Sequence, residues 1–231
     1  MKKPDIRRTG QISTHGVKCI VYGKSGAGKT VLCSTAPSPL IISAEKGLLS
    51  LTGRNVPYVE VKTRDDIREV YDWLSKSSDA KKYVQTVCLD SLSEIAEVML
   101  AQGRKLKNDP RQAYGFMNDA MVPLVKDFRD LTGMHVVLIA KETVVTDGVA
   151  GFMMYGPHAP GKQLPEALPY LVDEVFYLGI GKNAEGQNFR YVRTQPDAQY
   201  SAKDRSGRLA EIEYPDLTSI FAKIEGRTPQ G

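Results

Sequence analysis

The sequence predicts an α/β fold with a mainly parallel sheet covered by helices on both faces. Apolar runs of strand length recur without polar alternation, as in Val17–Tyr22 and Val136–Ala140, which is how strands buried on both faces read. Between such runs lie longer segments whose apolar residues return at three- and four-residue spacing. One strand-to-helix junction is glycine-rich, as a tight backbone turn requires. The composition agrees: 231 residues, 42% hydrophobic and 25% charged, with 20 Gly and 13 Pro, are the profile of an ordinary globular chain and set aside disordered, collagenous and coiled-coil classes.

In chain order, Val17–Tyr22 is the first expected strand, and Lys29–Thr35 a helix closed by Pro37 and Pro39. Leu40–Ala44 and Tyr58–Val61 are short strands. Arg64–Ser77 is a helix: Ile67, Val70, Tyr71 and Leu74 share a face, Thr63 or Arg64 stands at the cap, and Asp65 and Asp66 suit the positive end of the helix dipole. Val84–Leu89 is a strand. Ser91 to about Leu106 is a helix led by Leu92, Ile95, Ala96, Met99 and Leu100. Tyr114–Leu131 is a helix or a helix pair kinked at Pro123, and Val136–Ala140 is again a strand. Thr143–Gly161, with four glycines, two prolines and no period, reads as a long loop or loose hairpin, a kind of segment that is usually functional. Leu164–Leu171 is a short helix, Glu174–Ile180 and Phe189–Arg193 are strands added at the C-terminal side, and Leu217–Ile224 is a helix opened by Pro215-Asp216. The expected division is an N-terminal extension over 1–13, one domain over 14–224 and a flexible tail over 225–231.

A net charge of +4, from 31 basic and 27 acidic residues, permits an anionic partner without demanding one. Cys19, Cys33 and Cys88 are odd in number and widely spaced, so neither a disulfide framework nor a zinc site is legible. The apolar runs fall well short of the ~20 residues a membrane helix needs. A reducing cytoplasm, without membrane attachment, is the expected location.

The strongest chemistry lies in Gly23-Lys24-Ser25-Gly26-Ala27-Gly28-Lys29-Thr30, which fits the phosphate-cradling pattern Gly-x-x-x-x-Gly-Lys-Thr between a strand and a helix. Glycines let backbone N–H groups curl around phosphates, the helix N-terminus adds its dipole, Lys29 brings a cation and Thr30 a hydroxyl for Mg²⁺. ATP with Mg²⁺ is the expected cofactor pair. Asp90, closing the apolar strand before Ser91, is the expected second metal-side group; capping the next helix is its alternative use. Hydrolysis also needs a carboxylate beside the attacking water.

Ile41-Ile42-Ser43-Ala44-Glu45 supplies that carboxylate, and with it the order of the pieces resembles the RecA family of ATPases. There the strand after the P-loop ends in Ala-Glu, the metal-side strand in Asp-Ser, and a later apolar strand in a residue that senses the γ-phosphate. Ala44-Glu45, Asp90-Ser91 and Val136–Ala140 followed by Lys141 match in that order, over roughly residues 14 to 195. The resemblance implies a RecA-like core with strand order 3-2-4-5-1, Glu45 as general base, Lys29 on the outer phosphates and Lys141, where RecA has glutamine, as sensor. A surface role for Glu45 beside Lys46, and pairing of Lys141 with Glu142, are the alternatives. The chain also resembles core-only RecA-like proteins of bacteriophages, some grouped with single-strand annealing proteins, through Pro160-Gly161-Lys162 and Ala202-Lys203-Asp204-Arg205-Ser206-Gly207.

That likeness implies single-stranded DNA, further copies of the chain and a single-strand-binding protein as partners, in phage recombination or replication, with a host cytoplasm as the setting. Lys162 and Arg205 are the candidates for a cation donated to a neighbouring copy's site. Arg104, Lys105, Lys107 and Arg111 fall where the family has its first DNA loop, and Phe152 and Tyr155 lie in the second, where rings stack on bases. A solvated charge run and an ordinary connector are the plain alternatives. Two rival functions stand beside a slow or DNA-stimulated ATPase. A small-molecule kinase needs an arginine-rich lid, yet residues 143–161 hold no arginine; a binding module would use ATP only as a switch.

Overall fold

The computed structural model describes residues 16–45, 48–146 and 153–227. The expected extension over 1–13, Phe152 and the end of the tail lie outside the described residues. Five parallel strands form the centre of the sheet: β1 (Lys18–Gly23), β2 (Pro39–Ser43), β3 (Tyr58–Glu60), β4 (Thr86–Asp90) and β5 (His135–Thr146). They lie in the order 3-2-4-5-1, as the resemblance implies. β7 (Glu174–Lys182) continues parallel beside β1, and β8 (Asn188–Arg193) and β10 (Ile212–Glu213) extend that side antiparallel. The two-residue β9 (Lys203–Asp204) pairs with the start of β7.

Alternate residues of each central strand serve opposite faces. Cys19 and Val21 of β1, with Ile41 and Cys88, pack against Leu32 of α1 (Lys29–Cys33) and against Leu217 and Phe221 of α7 (Leu217–Ile224). Ile20, Tyr22, Ile42 and Leu89 pack against α2 (Arg64–Lys76), α4 (Leu92–Leu106), α5 (Pro110–Arg129) and α6 (Gln163–Leu171) through Ile67, Met99, Met117 and Leu168. Burial on both sides is why these strands carry no polar alternation. All three cysteines are free and buried. Among the described residues no helix is long and apolar enough to cross a membrane.

Local chemistry sets the helix ends. Thr63 and Asp66 form a reciprocal capping box at α2, and α5 starts at Pro110, capped by Asp109, four residues before the expected Tyr114. It continues through Pro123 as one helix, not a pair. A further helix, α3 (Ser78–Tyr83), is capped by Ser77. The expected loop over Thr143–Gly161 takes its hairpin form: β5 runs on to Thr146 and pairs antiparallel with β6 (Met153–Pro157).

Parallel strands share one carboxyl edge. Gly23 of β1 lies level with Lys141, and Ser43 of β2 with Asp90. The β5–β6 hairpin begins at that level and extends outward. The α4–α5 pair does the same. α4 leaves the carboxyl end of β4, and α5 must reach the opposite edge, where β5 begins; Arg64, in the first turn of α2, shares a groove with Ala120. Roughly the first ten residues of α5, about 15 Å at 1.5 Å per residue, therefore stand beyond the carboxyl edge.

Candidate functional site

The P-loop opens at Gly23, and its turn is closed by the Ala27 N–H donating to the Lys24 carbonyl at 3.1 Å. Gly26 and Gly28 hold φ of 79° and 99°, a region side chains rarely tolerate, which explains those two glycines. Lys29 Nζ donates to the carbonyls of Gly23 at 2.8 Å and Lys24 at 2.9 Å. Burial lowers its pKa, opposed by the charges of Asp90, Glu45 and Glu142. Thr30 Oγ1 donates to Asp90 Oδ2 at 2.6 Å.

Asp90 is buried at the end of β4, and burial raises its pKa while the Thr30 hydrogen bond holds it down. It does not cap α4. Ser91 does, accepting from the Glu94 N–H at 3.3 Å, so the Asp90 carboxylate stays in the cleft. The Ala44 N–H donates to the Asp90 carbonyl at 2.9 Å, bringing Glu45 alongside. Ser91 Oγ donates to Glu45 Oε1 at 2.8 Å; Glu45 is thus anchored within the site. Lys141 lines the same cleft but pairs with Glu94 rather than Glu142, and its backbone N–H donates to the Ser93 hydroxyl at 3.0 Å. That contact with Glu94 raises the Lys141 pKa. One carboxylate oxygen of Glu142 is buried without a partner, and burial raises its pKa against the pull of Lys24 and Lys29.

These groups enclose a cleft of about 640 Å³, within the size range of small-molecule sites. Lys24, Ser25 and Lys29 lie on one wall, Glu45, Asp90 and Ser91 on another, and Arg190 of β8 completes it. Sequence reasoning missed Ser91 and Arg190. Ser91 carried a cap signal, but nothing in an alternating strand such as Phe189–Arg193 says which residue leans over a loop 163 positions away. Hydroxyl and carboxylate oxygens of Thr30 and Asp90 are the hard donors Mg²⁺ takes, and the residues fit that ion.

The remaining candidates fall elsewhere. Arg104, Lys105, Lys107 and Arg111 are exposed at the outer turn between α4 and α5. Tyr155 is half-buried, its ring 5.5 Å from that of Tyr200 and its carbonyl accepting from Tyr22 at 2.9 Å. Lys162 is the exposed N-cap residue of α6. Arg205 lies at the amino edge of the sheet, opposite the P-loop, and pairs with Asp173 at 2.8 Å. It does not pair with Asp204, whose carboxylate accepts from the N–H groups of Ser206, Gly207 and Leu209.

The family described as AAA domain matches residues 15–206. The chain belongs to the AAA-domain family. Among solved structures, this AAA domain is similar to an ATPase from the type III secretion system of pathogenic bacteria, with 9% identity over 71% of the present chain and a TM-score of 0.50. It spans about half, 52%, of that protein. A KaiC-like protein from the archaeon Pyrococcus horikoshii aligns over 78% of the chain and 80% of its own, at 16% identity and a TM-score of 0.42. No curated protein matches the sequence. Family and fold together make this chain an AAA domain with a RecA-like α/β sheet carrying the P-loop at its carboxyl edge.

Proposed function

We propose that this AAA domain binds ATP with Mg²⁺ and hydrolyses it, that turnover is coupled to single-stranded DNA, and that copies of the chain act together. The observation that carries the reading is the arrangement around Asp90. Thr30 donates to it at 2.6 Å, Lys29 precedes Thr30 on α1, and Glu45 is fixed beside it by Ser91 at 2.8 Å.

The loop's N–H groups donate to the phosphates, and Lys29 turns from the carbonyls of Gly23 and Lys24 to an anion. Ser91 occupies one oxygen of Glu45. The other is left to take a proton from water, as a general base does. Thr30 and Asp90 would hold Mg²⁺, whose charge would offset that on the transferring phosphate. Lys141, paired with Glu94 at the end of the cleft, can exchange that partner for a phosphate oxygen.

Support for DNA comes from the α4–α5 turn, whose Arg104, Lys105, Lys107 and Arg111 are exposed beyond the edge that carries the P-loop. Basic groups so placed follow a phosphate backbone. The setting we infer is phage recombination or replication, and a neighbouring copy offers Lys162 or Arg205 to the cleft. Phosphate release measured with and without single-stranded DNA tests the reading. Turnover that rises with DNA and vanishes in K29A is expected; unchanged turnover in K29A overturns the nucleotide assignment, and indifference to DNA overturns the coupling.

A further inference from the structure

We propose that Arg190 is a phosphate-binding residue of this nucleotide site, supplied in cis by β8 and aimed by its hydrogen bond to the P-loop backbone. The inference rests on the nucleotide reading above and adds to it a residue that neither the P-loop motif nor the RecA resemblance contains.

Arg190 Nε donates to the Ala27 carbonyl at 2.8 Å, at the peptide that leads into Gly28. The guanidinium lies so close to Gly28 that a Cβ there would meet Nε at 3.0 Å and Cδ at 3.4 Å. Gly28 therefore serves twice, by its φ of 99° and by admitting the arginine. Among the described residues no carboxylate pairs with Arg190. Arg68, Arg193 and Arg205 all have carboxylate partners: Asp72 and Asp127 for Arg68, Asp197 and Glu211 for Arg193, and Asp173 for Arg205. A guanidinium has five N–H donors in a rigid fork. The tether uses Nε and leaves the two terminal nitrogens to the cleft that Lys29, Thr30 and Asp90 line.

Charge balance argues the same way. A magnesium nucleoside triphosphate carries about two net negative charges, and this cleft adds the carboxylates of Glu45, Asp90 and Glu142. Lys29 offsets one charge, and Lys141 is engaged by Glu94. Lys24 is an exposed cation on the same wall, whereas Arg190 is a further cation already fixed against the loop. Lysine at this position has no planar fork with which to keep the carbonyl and grip a phosphate.

The test is calorimetric binding of ATP, and separately of inorganic pyrophosphate, each with Mg²⁺, to the full chain and to R190A, R190K and K29A. Pyrophosphate isolates phosphate contacts from those of base and sugar. We expect R190A to bind both ligands roughly 10- to 100-fold more weakly, the loss of a charge-assisted hydrogen bond. R190K should recover little, and the ligand-free melting midpoints should stay close to that of the parent. Parental pyrophosphate affinity in R190A, with K29A impaired, overturns the role of Arg190 and leaves the nucleotide site standing. Parental affinity in K29A overturns the nucleotide reading itself. A binding loss in R190A that R190K reverses together with a lowered ligand-free melting midpoint overturns the proposal in favour of a purely structural clasp.

Discussion

Glu45 and Asp90 are two carboxylates one strand apart, and their neighbours give them different work. Asp90 is buried against Thr30, whereas Glu45 is exposed, lines the cleft and holds one oxygen on Ser91. Replacing Glu45 with Gln retains size and the Ser91 contact but removes proton acceptance. ATP affinity should persist while turnover falls about 10²- to 10⁴-fold, as single-turnover and binding assays on E45Q will show. Normal turnover in E45Q would move the base to Glu142, the remaining carboxylate of the cleft. The Gly-Lys-Thr pattern and Ala44-Glu45 were legible in the sequence because their chemistry is local. Arg190 was not, since its contact depends on where β8 lands in the sheet.

His135 gives a residue-scale prediction for stability. Its ring stacks on Phe221 with centroids 4.5 Å apart, and Nδ1 accepts from the Val17 N–H at 3.0 Å. Burial lowers its pKa to about 4. The unfolded histidine takes a proton near its ordinary 6.5, so stability is full above that pH and is lost as pH falls from 6.5 toward 4. Between pH 7 and pH 5 the loss from this one group is about 2 kcal/mol. H135N, whose amide oxygen can still accept from Val17, should show a flatter acid limb in urea titrations at the two pH values. An unchanged limb would assign the acid sensitivity to other groups.

At the scale of elements, the strands were the easiest to read because burial on both faces leaves uninterrupted apolar runs. The second half of β5 was hidden for the opposite reason: Lys141-Glu142-Thr143 is polar, and Val144 is half exposed on a hairpin outside the core. β9 and β10 are two residues each and exist only through their partners in β7 and β8. The α4–α5 turn was legible as a basic run, but its position beyond the P-loop edge came from topology. Replacing Arg104, Lys105 and Lys107 together with Ala should weaken single-stranded DNA binding and lower its salt slope by about 2, at about 0.7 per lost contact. ATP affinity should be spared. Fluorescence anisotropy across a salt series checks this, and an unaltered slope would make the turn a solvated surface.

For the whole molecule, the sheet has one edge for nucleotide and an opposite edge with charges of its own. Lys18 donates to the carbonyls of Leu131 and Met134 there, and burial lowers its pKa to about 8. Glu174, raised to about 8 by burial and by Asp204, sits opposite Asp204 of β9 and accepts from the Arg205 N–H at 3.3 Å. Lys162 and Arg205 thus stand at opposite ends of the chain's sheet. In the assembly proposed above, Lys162 would serve a copy packed on the nucleotide edge and Arg205 one packed on the opposite edge. Mixing K162A with K29A, and R205A with K29A, separates the two: the pair that restores turnover names the donating residue. Specific activity should also rise with protein concentration. Flat activity and no rescue in either mixture would mean that each chain works alone.

The three cysteines make the fold its own chemical clock. Cys19 and Cys88 flank Val137 of β5 on one face of the sheet and Cys33 lies on the helix that follows the P-loop, all at 0% exposure. The neighbouring Cys88 thiol together with burial raises the Cys33 pKa, and burial does so for Cys19. Such thiols are poor nucleophiles and react only when the structure opens. A disulfide reagent applied to the native chain should therefore modify it no faster than it opens. Any ligand that prefers the closed form should slow Cys33 labelling by one plus the ratio of its concentration to its Kd. Mass spectrometry of the labelled peptides would then report nucleotide affinity at α1 with no probe attached. Labelling of Cys33 unaffected by saturating ATP would mean that α1 opens as readily with the loop filled as with it empty.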